Sequence, residues 1–210
     1  MPDPRRHPYR SHFRRRDPVL HDVIGQVGPC QLKPNRDRFG MLVRSIISQQ
    51  ISTSAARSIR EKLERVAGPL GTTPETIRGL SVEQLRAAGL STQKTTYLRD
   101  LAEKVTDGSV RLRTIGRRTD EEIVEELTQV KGIGRWTAQM FLIFALSRED
   151  VFPIDDFGVR SAMQSLYELP ENASRAAFLE IGARWSPYAS IGSWYCWRYL
   201  DLQRGQKNTP

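Results

Sequence analysis

Cysteine is scarce in this sequence. Cys30 and Cys196 are the only two among 210 residues, and they lie far apart, in no Cys-x-x-Cys pair. A zinc site or an iron–sulfur cluster held by four cysteines is therefore excluded by count. We expect no metal bound by side chains and no required cofactor.

Long hydrophobic runs are also lacking. The longest strongly apolar run, residues 138–146, is interrupted by Gln139. It has about half the length that crosses a bilayer, so no membrane partner is expected. The N-terminus carries basic residues with no apolar segment after them, which does not match a secretory signal.

Positive charge is abundant instead. Lysine and arginine total 32 against 24 aspartate and glutamate, a formal net charge of +8. Such an excess favours polyanionic partners, nucleic acid first. Hydrophobic residues make up 39% of the chain, enough to build a core, so a globular protein is predicted. Together these features predict a cytoplasmic, nucleoid-associated protein.

Three regions differ in composition. Residues 1–18 carry six arginines among four prolines, and with too little apolar surface to fold alone they predict a basic, flexible arm. A solvated tail and a DNA-touching arm both fit this segment. We therefore divide the chain into an arm and lead-in at 1–35, a folded region at 36–202, and a frayed tail at 203–210.

The folded region is helical in pattern almost throughout. Apolar residues recur at steps of three and four, and no stretch alternates strictly enough to predict a strand. Two capping boxes mark helix starts, Ser81 with Gln84 and Thr119 with Glu122. Residues 136–146 are apolar nearly all round, which indicates a central helix. The predicted fold class is all-α.

The most informative segment is LTQVKGIGRWTA at residues 127–138. Two helical patterns are joined there by a turn whose Gly132 and Gly134 accept unusual backbone angles and allow close approach of a ligand. A turn at a helix N-terminus offers backbone N–H groups to an anion, and a phosphate suits a basic protein. Lys131 and Arg135 flank the turn. An ordinary hairpin of two helices would show the same glycines.

A pair of aspartates follows about twenty residues later, Asp155 and Asp156. Adjacent residues at a helix start do not share a face, so the two carboxylates should have different roles. One of them is suited to capping the helix that begins near Phe157. Capping alone is the alternative to a catalytic role.

These segments resemble a known family. VKGIGRWTA and VFPIDDFGVR, at this spacing, resemble the two halves of the signature of the helix-hairpin-helix DNA glycosylases. FGMLVRSIISQQIST and SIGSWYCWRYL extend the likeness over about residues 36–202 and indicate the 3-methyladenine DNA glycosylase II branch, in a compact form. The resemblance implies two packed helical subdomains with a DNA-binding cleft between them.

The resemblance also assigns roles to residues. It implies that Asp156 is the catalytic carboxylate, with Asp155 as the alternative, since a carboxylate facing the sugar stabilises positive charge as the glycosidic bond breaks. Strand-cleaving relatives carry a lysine where this sequence has Trp136, so no lyase activity is expected. Trp136 and Trp197 are expected in the base-binding pocket, where aromatic faces attract a cationic base. Met140 replaces the pocket tyrosine.

The remaining implied sites concern DNA. Contacts to the backbone are expected from the hairpin, at Lys131, Gly132, Gly134, Arg135 and Thr137. Gln50 occupies the stretch where relatives carry the wedge that fills the gap left by a flipped nucleotide. A polar residue at a helix end is the alternative for Gln50. A monovalent cation bound by hairpin carbonyls is a further option.

The predicted function is that of a monofunctional glycosylase that flips alkylated purines out of duplex DNA and releases them, as a monomer, to start base excision repair. Two alternatives remain open at this stage. One is a glycosylase for deaminated bases such as uracil or hypoxanthine. The other is a helix-hairpin-helix module that binds DNA without catalysis.

Overall fold

The computed structural model describes residues 7–207, and all regular secondary structure in that range is helical. The predicted all-α class is thereby confirmed. Twelve α-helices follow one another in this part of the chain: α1 Pro8–Arg16, α2 Pro18–Val27, α3 Arg38–Ser48, α4 Thr53–Ala67, α5 Pro74–Gly79, α6 Val82–Ala87, α7 Thr92–Thr106, α8 Asp120–Thr128, α9 Arg135–Phe144, α10 Phe157–Leu166, α11 Arg175–Ala183 and α12 Ala189–Lys207.

The helices belong to two compact units. The central unit comprises residues 34–146 and contains α3 to α9. Within it, α7 packs against α3, α5 and α6, while α8 and α9 pack on each other to form the hairpin. The apolar faces of these helices form the core of the unit, with Leu42, Ile46, Leu98 and Leu101 completely buried.

Helix starts in the central unit follow from hydroxyl caps. Ser81 accepts a hydrogen bond from the Gln84 amide while the Gln84 side chain accepts from the Ser81 amide. Thr119 and Glu122 form the same reciprocal pair at α8. Both predicted capping boxes are confirmed, because each satisfies amides that the helix itself leaves unpaired.

The second unit is built from two separate stretches of chain, residues 7–33 and 147–207 in the described range. Helix α12 packs against both α10 and α2, and α1 packs against α2. Large aromatic side chains fill the core of the unit, among them Phe178, Trp185 and Tyr195.

The structure corrects the prediction of a flexible arm at residues 1–35. From residue 7 onward this segment forms α1 and α2, which bury Tyr9, Phe13 and Leu20 in the core of the second unit. Two prolines of the segment stand at the first positions of these helices, where a missing N–H costs nothing. Tyr9 and Phe13, four residues apart, form the apolar face of α1. This spacing is difficult to recognise in the sequence because arginines surround it.

Buried Asp17 fixes the junction between α1 and α2. Its carboxylate caps α2 by accepting from the Leu20 amide, at 3.0 Å. The same carboxylate accepts from the Tyr167 hydroxyl at 2.6 Å and from the Trp185 indole N–H at 2.7 Å. Three donors thus satisfy a carboxylate that is only 2% exposed.

The predicted tail is also corrected in part. Helix α12 continues to Lys207, so residues 203–207 are helical rather than frayed. Residues 1–6 and 208–210, on which the rest of the arm and tail predictions fall, lie outside the described residues.

Candidate DNA-binding hairpin and aspartate site

The hairpin turn connects α8, which ends at Thr128, to α9, which begins at Arg135. Gly132 has a φ of +80°, a left-handed conformation that L side chains rarely adopt. A Cβ on Gly132 would overlap the ring of Tyr97 on α7. Both the backbone angle and the close approach therefore require glycine at this position.

Asp100 on α7 holds the turn. One oxygen accepts from the Lys131 backbone N–H at 2.8 Å, and the other accepts from the Lys104 ammonium at 2.9 Å. Burial would raise the pKa of Asp100, but these hydrogen bonds and the charges of Lys104 and Lys131 hold that pKa below its usual value. The carboxylate therefore stays charged and anchors the turn to α7.

The first turn of α9 is the part of the hairpin best suited to an anion. Its N-cap is Gly134, whose lack of a side chain leaves no side-chain acceptor at this helix end. The side chain of Lys131 is 64% exposed, with only a distant approach to Asp100 at 3.9 Å. Arg135 makes two hydrogen bonds to Glu121 of α8, at 2.8 and 3.0 Å.

The pocket residues predicted on α9 lie one helical turn apart. Trp136 is 44% exposed, which is unusual for so large an aromatic side chain, and Met140 is buried on the same side of the helix. Thr137, the residue after Trp136, is buried, with 5% of its surface exposed. Its assignment as a DNA contact stays a prediction.

The loop between α3 and α4, residues 49–52, contains the predicted wedge Gln50 and is here named the wedge loop. Gln50 is exposed and has a φ of +56°, an uncommon conformation for a residue with a side chain. Such a conformation costs on the order of 1–3 kcal/mol and is found preferentially at functional sites. Gln49, its neighbour, donates from its side-chain amide to the Gly132 carbonyl at 2.8 Å. The wedge loop is thus bound to the hairpin turn.

In the second unit, Asp156 is the N-cap of α10 and only 7% exposed. Its Oδ1 accepts from the Val159 backbone N–H at 2.8 Å and from the Trp197 indole N–H at 2.9 Å. A Cβ on Gly158 would stand 3.0 Å from the Trp197 ring and 3.2 Å from Asp156 Oδ1. Two hydrogen bonds and a close backbone therefore fix the orientation of this carboxylate.

Asp155 has a different environment. It is exposed and forms an ion pair with Arg175 at the start of α11, in which both guanidinium Nη atoms donate to the carboxylate. The sequence predicts different roles for the two aspartates and a cap by one of them, and the structure shows that the cap is Asp156. The catalytic assignment of Asp156 stays a prediction.

Two residues of α7 that support the hairpin turn, Tyr97 and Asp100, are not predicted from the sequence as parts of the site. Both lie within the helical pattern of the folded region, and that pattern marks apolar positions rather than contacts with a distant turn. The available sequence signal for a structural role of Asp100 was its position next to the buried Leu101. Its partner could not be identified, because the Lys131 amide is 31 positions away.

The described residues include neither a membrane-spanning helix nor a metal-binding cluster of side chains. Among residues 7–207, no helix is long and apolar enough to cross a membrane. In the same range, no group of three or more His, Cys, Asp or Glu side chains could hold a metal ion.

Comparisons with known proteins agree with this architecture. The family model for the HhH-GPD superfamily base excision DNA repair proteins matches residues 43–187. The chain belongs to this superfamily, and the predicted family resemblance is confirmed.

One curated relative and two solved structures are similar over most of their length. DNA-3-methyladenine glycosylase 1 of Schizosaccharomyces pombe is 33% identical over 185 residues, which cover 87% of this chain and 81% of the relative. The crystal structure of a DNA-3-methyladenine glycosidase from Bacillus halodurans matches with a TM-score of 0.84 at 33% identity, over 92% of this chain and 89% of that one. A 3-methyladenine DNA glycosylase of S. pombe, solved in complex with abasic DNA, matches with a TM-score of 0.79 at 32% identity, over 90% and 95% of the two chains.

Proposed function

We propose that this protein is a monofunctional DNA glycosylase that hydrolyses the N-glycosidic bond of alkylated purines in duplex DNA, of the 3-methyladenine and 7-methylguanine type, and so initiates base excision repair. The observation that carries the proposal is Asp156, a buried and oriented carboxylate in a chain of this superfamily. A module that only binds DNA would need Asp156 for no more than the cap of α10, a role that Ser, Thr or Asn fills as well. The similar proteins named as 3-methyladenine glycosylases support the substrate class.

The proposed reaction is the addition of water to C1′ of the flipped nucleotide, with departure of the base together with the electron pair of the glycosidic bond. Positive charge develops on the sugar as this bond breaks, and the carboxylate of Asp156 stabilises it. The same group orients the water and takes its proton. Since a methylated purine is already cationic, it leaves with little help from a general acid.

Aromatic side chains would select the cationic base. Trp136 on α9 and Trp197 on α12 are the candidates, because the face of an indole ring attracts a cation. The Trp197 indole N–H also donates to Asp156, so the same residue would contact base and carboxylate. Trp136 offers no amine for a Schiff base, from which we propose that the enzyme lacks strand-cleaving activity.

The hairpin would hold the DNA backbone. The amides at the start of α9, with Gly132 and Gly134 allowing close approach, suit a phosphate, and exposed Lys131 adds positive charge. Gln50 would enter the base stack as the wedge. The proposal includes a monovalent cation bound by the carbonyls of the hairpin turn. It also includes that the protein acts as a monomer.

The experiment is base release from duplex DNA treated with dimethyl sulfate, with buffer alone as the control. Release of 3-methyladenine or 7-methylguanine, leaving abasic sites in unbroken strands, is the expected result. Strand breaks formed by the enzyme would refute the monofunctional assignment. Release only from duplexes that contain uracil or hypoxanthine would favour the deaminated-base alternative, and DNA binding without release of any base would favour a binding module.

A further inference from the structure

Lys94 on α7 is a partly buried lysine whose ammonium group is bonded to backbone carbonyls. Its Nζ donates to the carbonyl of Ile47 at 2.7 Å and to the carbonyl of Gln49 at 2.6 Å. These carbonyls belong to the end of α3, where no further turn of helix follows to pair with them. A positive charge at a helix C-terminus is also favoured by the helix dipole.

The wedge loop is therefore fixed from two sides. Lys94 binds the carbonyl of Gln49, and the side chain of Gln49 binds the carbonyl of Gly132 in the hairpin turn. Gln50 follows directly, exposed and with a positive φ. A backbone in such a conformation persists only where its surroundings hold it in place.

Helix α7 contacts both loops of the central unit that are proposed to bind DNA, the wedge loop and the hairpin turn. Lys94, Tyr97 and Asp100 lie at steps of three residues along one side of the helix. Tyr97 and Asp100 contact the hairpin turn, and Lys94 contacts the wedge loop. The desolvation that accompanies its partial burial lowers the pKa of Lys94, a cost that its two hydrogen bonds offset.

We infer that Lys94 is a positioning residue for the wedge. Its hydrogen bonds fix the end of α3, so that Gln50 keeps its strained conformation. The side chain of Gln49 joins this segment to the hairpin turn. The inference rests on the proposed function, since it concerns the wedge of the same enzyme. Lys94 itself touches neither base nor sugar in this role. Its loss should affect recognition of a gap in the base stack more than general attraction to DNA.

The test is the affinity for a duplex with a stable abasic-site analogue, compared with the affinity for the matching intact duplex. Wild type, Lys94→Met, Gln50→Ala and the double variant form a mutant cycle. Lys62→Met is the matched control, because Lys62 is an exposed lysine of the same unit with no ion pair among the described contacts. Thermal unfolding of each variant identifies losses that arise from misfolding, and Lys94→Arg should restore part of the preference because it keeps the charge and the donors.

We expect Lys94→Met to reduce the preference for the abasic duplex roughly tenfold and to cause little further loss when Gln50 is already alanine. Lys62→Met should keep the full preference. An equal loss of affinity for both duplexes would overturn the inference, because it would show that Lys94 supplies only charge. A full loss on the Gln50→Ala background would also overturn it. Base release is not needed for this readout, so a failure of the proposed chemistry is recognised separately.

Discussion

Asp155 and Asp156 are neighbours whose carboxylates have opposite environments. Asp156 is buried and bonded to a backbone amide and an indole N–H, whereas Asp155 lies in solvent beside Arg175. An exposed ion pair contributes little free energy, and its guanidinium occupies the carboxylate. The buried aspartate is thus the better candidate for a group that must keep one orientation while charge develops nearby.

A pH dependence is expected at Asp100. Because its pKa in the folded protein lies below the usual value of 3.8, its hydrogen bonds contribute stability that is fully present above that value. This stability is lost as the pH falls through the lower, folded-state pKa. We predict that hydrogen-exchange protection of the Lys131 amide decreases over this acidic range.

The control for that measurement is Asp100→Asn. In this variant the protection of the Lys131 amide should be lower at neutral pH and nearly independent of pH, since the amide side chain does not titrate. Unchanged protection in wild type down to about pH 2 would show that the carboxylate is not the anchor of the turn.

Among the elements, the hairpin carries two cationic side chains, Lys131 and Arg135, that differ in how readily they can bind a phosphate. Lys131 is exposed and only distantly paired, whereas Arg135 is bonded twice to Glu121. Arg135 can bind a phosphate with these donors only after its hydrogen bonds to Glu121 have broken. We therefore expect Lys131 to contribute more to DNA affinity.

The measurement is the dependence of DNA affinity on salt concentration. Lys131→Ala should reduce the slope of log K against log salt by about 0.9, the value for one lost phosphate contact, and Arg135→Ala should reduce it less. Neither variant should change the preference for damaged over intact DNA. If the slope of Lys131→Ala equals that of wild type, the hairpin lysine makes no phosphate contact.

Elements with local sequence signals are the ones that the sequence predicts correctly. The capping boxes at Ser81 and Thr119 and the glycine turn at 132–134 lie where they were predicted, because the controlling interactions join residues three or four positions apart. The positive φ of Gln50 had no such signal. The hydrogen bonds that hold its neighbour Gln49 are made with Lys94 and Gly132, which are more than forty residues away in sequence.

At the scale of the whole molecule, the N-terminal segment is part of the fold. Helices α1 and α2 share a core with α10 to α12, although more than a hundred residues separate the two stretches. The sequence predicted an arm because six arginines dominate its composition. The burial of Tyr9 and Phe13 depends on partners at the other end of the chain, such as Tyr195, whose hydroxyl lies 3.0 Å from that of Tyr9.

This placement predicts a large effect of a substitution far from the site. Phe13→Ala removes a completely buried ring and should lower the free energy of unfolding by about 3–5 kcal/mol. Ser11→Ala, at an exposed position of the same helix, should change it by less than about 0.5 kcal/mol. Urea denaturation measures both, and equal midpoints for the two variants would mean that α1 does not pack on this core.

If Asp156 carries the chemistry, base release from methylated duplex DNA should depend on this residue and not on Asp155, which Asp156→Asn and Asp155→Asn compare. Asparagine retains an oxygen that can cap α10 and accept from Trp197, so the fold and DNA binding should persist. We predict that Asp156→Asn lowers the rate of release on the order of a hundredfold or more, while Asp155→Asn stays near wild type. Wild-type release by Asp156→Asn, or loss of release in Asp155→Asn alone, would show that Asp156 is not the catalytic carboxylate.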